Sequence, residues 1–185
     1  MDNGAGSYRR FLDGDDDGFV EIIKDYKDGL QIYLCSITGN VLVAEELTEE
    51  TFVKIITKKP RFSEKSSFKT WLYTIGRNVA IDFLRKNSRN TEVSIEEVQE
   101  LRSEERLLEE TYIKDEEKRE LHKALKKLPP TYRQALWLTY FEELSNKETA
   151  GIMKKSVHNV ETILYRARIA LKEELLKEGF VYEGL

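Results

Sequence analysis

The chain has 185 residues, of which 40% are hydrophobic and 35% charged, with only three prolines and ten glycines. That profile suits a highly charged helical protein of one large or two small domains and argues against a loop-rich β fold. The formal net charge of −4 argues against a uniformly basic nucleic-acid binder, and a single cysteine, Cys35, excludes an internal disulfide and fits a reducing compartment. No leader-like basic-then-apolar start is present and no apolar run nears the roughly 20 residues that span a bilayer, so an intracellular location is expected.

The charge is segregated along the chain. Residues 61–89 are basic, with Arg61, Lys65, Lys69, Arg77, Arg85, Lys86 and Arg89 against Glu64 and Asp82; residues 92–120 are strongly acidic. From Lys123 onward the balance is mildly basic again. Blocks of alternating sign imply blocks with different partners.

Residues 1–16 are expected to be loose, being small and polar at the start. The run DGDDDG at 13–18 begins like a calcium loop, but Lys24 stands where the bidentate glutamate belongs. Its aspartates better serve to cap a helix predicted over 18–38 through Phe19, Ile22, Ile23, Tyr26, Leu30, Tyr33, Leu34 and Ile37. Gly39-Asn40 ends it, and a second helix is predicted over 43–58. Leu47, Thr51, Phe52, Ile55 and Ile56 form its apolar set, and Glu45, Glu46, Glu49 and Glu50 its acidic face. Such a face is either solvated or a dock for a basic partner.

After a polar loop at 61–67, with Ser63 or Ser66 available as N-cap, residues 68–89 read as one helix. Phe68, Leu72, Ile75, Val79 and Phe83 form its burial stripe. Trp71, Thr74, Asn78 and Arg85 lie on an adjoining flank, and Arg77 further round. A cationic helix with an aromatic and an amide can hold phosphates, stack on a base and bond its edge. Trp71 sits at the edge of the stripe, where core packing and stacking are both open.

Residues 91–117 read as an acidic linker, entered by the capping box Ser94-x-x-Glu97. Beyond it Leu121, Leu125 and Leu128 end a helix before Pro129-Pro130, and a further helix is predicted over 132–140. A second capping box, Ser145-x-x-Glu148, opens a short helix over 146–153. A turn at 154–156 leads into a long helix over 157–177 with Ser156 as its N-cap. Short helix, turn, longer helix is the helix-turn-helix arrangement. Val160, Leu164, Ala167 and Leu171 would face inward, leaving His158, Asn159, Glu161, Thr162, Tyr165 and Arg166 on the arc that a recognition helix presents. His122 and His158 are far apart and no phosphate-binding glycine loop is present, so no enzyme, metal or cofactor is expected.

Taken together, AEELTEETFVK at 44–54, FKTWLYTIGRNVAIDFLR at 68–85, LPPTYR at 128–133, LSNKETA at 144–150 and YRAR at 165–168 resemble bacterial sigma-70 family transcription initiation factors. The similarity is specifically to the two-domain extracytoplasmic-function group. It implies an all-α fold of two small helical domains joined by the acidic linker. Residues 17–90 would be the region 2-like domain, 118–178 the region 4-like helix-turn-helix domain, and 179–185 a tail. It implies core RNA polymerase as partner through Glu45, Glu46, Glu49, Glu50 and Phe52. The −10 promoter element would be read and melted by Phe62, Ser66, Trp71, Arg77, Asn78, Arg85, Lys86 and Arg89. The −35 element would be read by Lys155, Ser156, His158, Asn159, Glu161, Thr162, Tyr165 and Arg166.

One departure is HNVE at 158–161, where the family usually shows a glycine-threonine-valine-lysine-like stretch. Glu161 there loses a basic phosphate contact but could accept from a cytosine amino group. The resemblance also implies promoter DNA, an anti-sigma partner, a bacterial cytoplasmic location and a monomer when free. The competing reading is a stand-alone helix-turn-helix regulator of duplex DNA; a third is a protein that occupies polymerase without initiating.

Overall fold

The computed structural model describes residues 3–88 and 116–177, and every regular element among them is helical. The elements are α1 (Asn3–Leu12), α2 (Asp17–Thr38), α3 (Val41–Lys58), α4 (Phe68–Asn87), α5 (Glu116–Lys126), α6 (Pro130–Leu136), α7 (Asn146–Met153) and α8 (Val157–Lys177). A π-helical turn, Trp137–Phe141, continues directly from α6. The acidic linker at 91–115, Arg89 and the tail at 179–185 lie outside the described residues, and only the last two linker positions, at the start of α5, fall within them.

The loose start expected for 1–16 is corrected by α1. Its glycines, poor helix formers, disguise it as coil. They allow close approach instead: a Cβ on Gly4 would strike the Phe68 ring and stand 2.7 Å from the Tyr26 hydroxyl. Tyr8 and Phe11, one turn apart, are both buried against α2 and α4. Such burial is worth about 1.5–3 kcal/mol for each large side chain, enough to order a short helix.

Local signals set most other boundaries. Gly39, at φ +73°, ends α2 by donating its N–H to the Cys35 carbonyl, and Asn40 caps α3 by accepting from the Val43 N–H at 3.0 Å. That cap starts α3 two residues earlier than expected. Ser67, rather than Ser63 or Ser66, caps α4, its hydroxyl accepting from the Thr70 N–H at 3.2 Å.

Helix α4 lies at the centre, packed on α1, α2, α3 and, through its N-terminal half, α7. It is therefore buried beyond the expected stripe: Phe68, Leu72 and Val79 are covered, and so are Thr70, Tyr73, Gly76 and Ala80. Gly76 is required by that crowding, since a Cβ there would stand 2.8 Å from Leu30 Cδ1.

The second unit folds around Leu125, Leu128, Leu136, Leu138, Leu144, Ile152, Met153, Val160 and Leu164. The helix expected over 132–140 is α-helical only to Leu136; it widens into the π turn, and Glu142 N–H bonds the Trp137 carbonyl at 3.1 Å. The Trp137 and Phe141 rings stack at 4.5 Å on that turn. The capping box is complete in both directions between Ser145 and Glu148, and Lys154, at φ 53°, turns the chain from α7 into α8.

The two units touch. Lys69 Nζ lies 2.9 Å from Glu142 Oε2 and donates to the Glu142 carbonyl at 3.2 Å. Glu148 Oε1 accepts from the hydroxyls of Ser67 at 2.9 Å and Thr70 at 3.1 Å.

Candidate nucleic-acid and polymerase interfaces

On α3, Glu46, Glu49 and Glu50 are exposed and Glu45 is half-buried, giving an acidic face turned away from the core. Phe52 does not belong to it. Its ring is buried, edge-on to Phe19 at 6.2 Å, so its place in the polymerase-binding set is corrected to the core. The apolar side chains that do reach the surface of this helix are Leu42, Val53 and Ile56. Periodicity had placed Ile56 inside; nothing in a single helix tells which edge of an apolar stripe its neighbours leave uncovered.

The flank of α4 presents Asn78, half-buried, its amide unengaged by any described residue. Trp71 is half-buried too, its ring centroid 5.1 Å from Tyr8, 5.4 Å from Phe62 and 5.3 Å from Phe68. Trp71 is thus a packed member of an aromatic cluster with one part at the surface. Phe62 meets Phe68 edge-on at 5.6 Å, which ties the loop to the helix. Ser66 is exposed beside it.

The basic residues of α4 differ in availability. Lys86 is exposed, and Arg85 is exposed but donates to Asp82 at 2.9 Å. Arg77 is half-buried, with its Nε buried and without a hydrogen-bond partner among the described residues. Burial pushes the Tyr33 phenol well above its ordinary range, and the Arg77 charge offsets part of that rise. Arg77 therefore lies inward of the exposed pair.

On α8, Val160, Leu164 and Ala167 are buried and Leu171 is half-buried, while His158, Asn159, Glu161, Tyr165 and Arg166 are exposed together. Lys155 and Ser156 are exposed at the helix entrance, and Ser156 Oγ accepts from the Asn159 N–H at 3.2 Å. The half-buried Thr162 spends its hydroxyl on the His158 carbonyl at 3.0 Å. An arc of this kind, on the second helix of a capped pair, fits a DNA major groove. Arg168 donates to the Tyr140 hydroxyl at 3.3 Å, an exposed cationic and aromatic pair that helical spacing alone did not join.

Among the described residues no group of His, Cys, Asp and Glu could hold a metal ion, and no helix is long and apolar enough to cross a membrane.

The sigma-70 region 2 family matches residues 22–90 and the sigma-70 region 4 family residues 118–171. The first match covers α4, and the second covers the helix-turn-helix. The ECF RNA polymerase sigma factor SigW of Bacillus subtilis is 30% identical over 170 residues, spanning 88% of this chain and 91% of that protein. SigM of the same organism is 32% identical over 152 residues, spanning 82% and 91%. Among solved structures, the sigma factor RpoE of Bartonella quintana, in complex with the anti-sigma factor NepR, is similar with a TM-score of 0.65 and 24% identity. That likeness covers 85% of this chain and 96% of RpoE. CnrH, in complex with the cytosolic domain of CnrY, is similar with a TM-score of 0.60 and 21% identity, over 93% and 94% of the two chains. The structural likenesses bear on the fold, whereas identity over nearly the whole length of SigW and SigM bears on kinship. With a buried central helix, a capped helix-turn-helix and both family regions in order, this chain belongs to the ECF group of sigma-70 family RNA polymerase sigma factors, which direct promoter-specific transcription initiation.

Proposed function

We propose that the work of initiation is divided by helix. The acidic face of α3, Glu45, Glu46, Glu49 and Glu50, with exposed Val53 beside it, docks core RNA polymerase. The flank of α4 and the loop at 59–67 receive a base drawn from the −10 element, with Asn78 bonding its edge and Arg85 and Lys86 holding phosphates. The exposed arc of α8 reads the −35 element in the major groove. The observation that carries this reading is Asn78: an unengaged amide on the flank of the central helix that packs on α1, α2, α3 and α7, two turns along the same flank from Trp71 of the aromatic cluster. Unstacking costs a few kcal/mol per base, so a rigid receptor that needs no reorganisation offsets part of that cost.

Regulation by an anti-sigma factor is part of the proposal, supported by the structural relative RpoE, solved with the anti-sigma factor NepR. So are a cytoplasmic setting, a monomeric free form and the lack of any catalytic step in the chain itself.

The test is to mix the purified protein with bacterial core RNA polymerase and a promoter library. Stable co-elution with promoter-specific initiation is the expected result. Duplex binding without polymerase association would overturn it in favour of a stand-alone regulator. Co-elution without initiation would leave a polymerase-bound regulator.

A further inference from the structure

The loop at 59–67 has no support of its own. Among residues 60–66 no backbone–backbone hydrogen bond is made; Lys59, at φ 43°, ends α3 as its C-cap with its N–H on the Ile55 carbonyl, whereas Glu64 takes a left-handed conformation, at φ 56°, within the loop itself. Non-glycine residues hold such angles only where their surroundings impose them.

The surroundings are α4, which the Phe62 ring meets at Phe68 and Trp71, and above all α1. Tyr8 donates its hydroxyl to the Pro60 carbonyl at 2.7 Å. Arg9 grips Glu64 Oε1 with both Nη2, at 2.7 Å, and Nε, at 3.2 Å. Lys59 Nζ sits 4.7 Å over the Phe11 ring. A single stretch of α1, from Tyr8 to Phe11, therefore reaches three separate points of one loop. The α1 helix is itself anchored to α2 and to the turn between them. Ser7 donates to Glu21 at 2.8 Å, and Arg10 pairs with Glu21 at 2.8 Å and with Asp15 at 2.7 Å. Burial pushes the Tyr8 phenol up to about 12, so it remains a donor throughout the neutral range.

We propose that α1 is a brace that sets the shape of the −10-facing loop, with Tyr8 and Arg9 as positioning residues for base selection. This rests on the loop and Asn78 receiving a promoter base. A purely structural α1 would need only Tyr8 and Phe11 as buried rings. The Arg9–Glu64 pair is well exposed on both sides, at 63% and 55%, and exposed pairs of this kind add little to stability. Its geometric consequence is larger, because it fixes the residue at the strained point of the loop.

The test uses full-length protein assembled with core RNA polymerase and a promoter library randomised across the −10 element. Tyr8→Phe keeps the ring and removes the tether to Pro60; Arg9→Ala removes the tether to Glu64. Each should lower base selectivity at one −10 position about three- to tenfold, the range of one lost hydrogen bond. The unfolding midpoint should fall by no more than one hydrogen bond accounts for, and core polymerase affinity should stay unchanged. The paired reversal Arg9→Glu with Glu64→Arg should restore selectivity that Arg9→Glu alone loses. Unaltered selectivity in both single variants, with opening lost in Asn78→Ala, overturns the brace and leaves the loop reading intact. Opening that persists in Asn78→Ala removes the receptor and the brace with it. Selectivity lost only in step with the unfolding midpoint makes α1 a packing element and also overturns the proposal.

Discussion

Glu148 accepts a hydrogen bond from the Ser67 hydroxyl at 2.9 Å, across 81 positions of sequence. Ser67 is the N-cap of α4, and the other oxygen of Glu148 completes the capping box of α7 by accepting from the Ser145 N–H at 3.0 Å and hydroxyl at 2.7 Å. One carboxylate thus serves the starts of two helices in different units. Helix α4 and α7, the first helix of the helix-turn-helix, share a polar junction, reinforced by Lys69 with Glu142.

Replacing Glu148 by Ala should loosen that junction and remove a cap together. We expect about 1 kcal/mol of lost stability from the cap, and a longer distance between dyes placed on α3 and α8 by energy transfer. Glu142→Ala should lengthen the same distance while leaving the capping box whole. An unchanged dye separation in both variants would show that the junction does not hold the units together.

The junction should respond to acid. Burial raises the Glu148 carboxyl, but the hydrogen bonds from the Ser145 hydroxyl and N–H and from the Ser67 and Thr70 hydroxyls outweigh it and hold the group below its ordinary value. The Ser145 bonds belong to the capping box itself; the Ser67 and Thr70 bonds come from the other unit, and through them docking favours the carboxylate. Its contribution is complete above the free carboxyl pKa of about 4.3 and disappears as pH falls through the lower docked value. The dye separation should increase on acidification in the wild type and show a weaker pH response in Glu148→Gln.

Phe52 and Val53 are neighbours in sequence with opposite fates. Phe52→Ala should cost about 3–5 kcal/mol in unfolding free energy because it leaves a cavity in the core. Val53→Asp, at an exposed position, should leave unfolding within about 0.5 kcal/mol yet weaken association with core polymerase, as should charge reversal at Glu46 and Glu49. Calorimetry and a polymerase-binding titration separate the two effects.

Asn78→Ala should weaken open-complex formation while polymerase binding stays near normal. Permanganate footprinting of the −10 element reads this directly, and undiminished melting would remove Asn78 from the proposed receptor.

On α8, Arg166→Ala should weaken binding of holoenzyme to −35 duplex DNA and, if the contact is to phosphate, reduce the salt-dependence slope by about 1. Glu161→Lys should strengthen duplex binding across sequences by adding a cation where the chain carries an acid. Titrations at several salt concentrations check both variants.

Much of this architecture was legible in the residues. The helix-turn-helix could be read because its signals act within a turn or two: Ser145 and Glu148 close their capping box, and Val160, Leu164 and Ala167 repeat at helical spacing. The acidic face of α3 and the flank carrying Asn78 come from the same periodicity. The tertiary structure decided the rest. It turned glycine-containing α1 from expected coil into a packed helix, because Tyr8 and Phe11 find a surface formed by α2 and α4. It kept Phe52, a member of the apolar set, in the core and away from any dock, and left Ile56 outside, since only neighbouring helices determine which edge of a stripe is covered. Among the serines ahead of α4, it made Ser67 the cap, where the buried Phe68 begins the helix and Glu148 completes the hydrogen bonding. Helical period and capping are local and so are written in the order of residues. A bond between positions 67 and 148 depends on two folded units meeting, and no local pattern contains it.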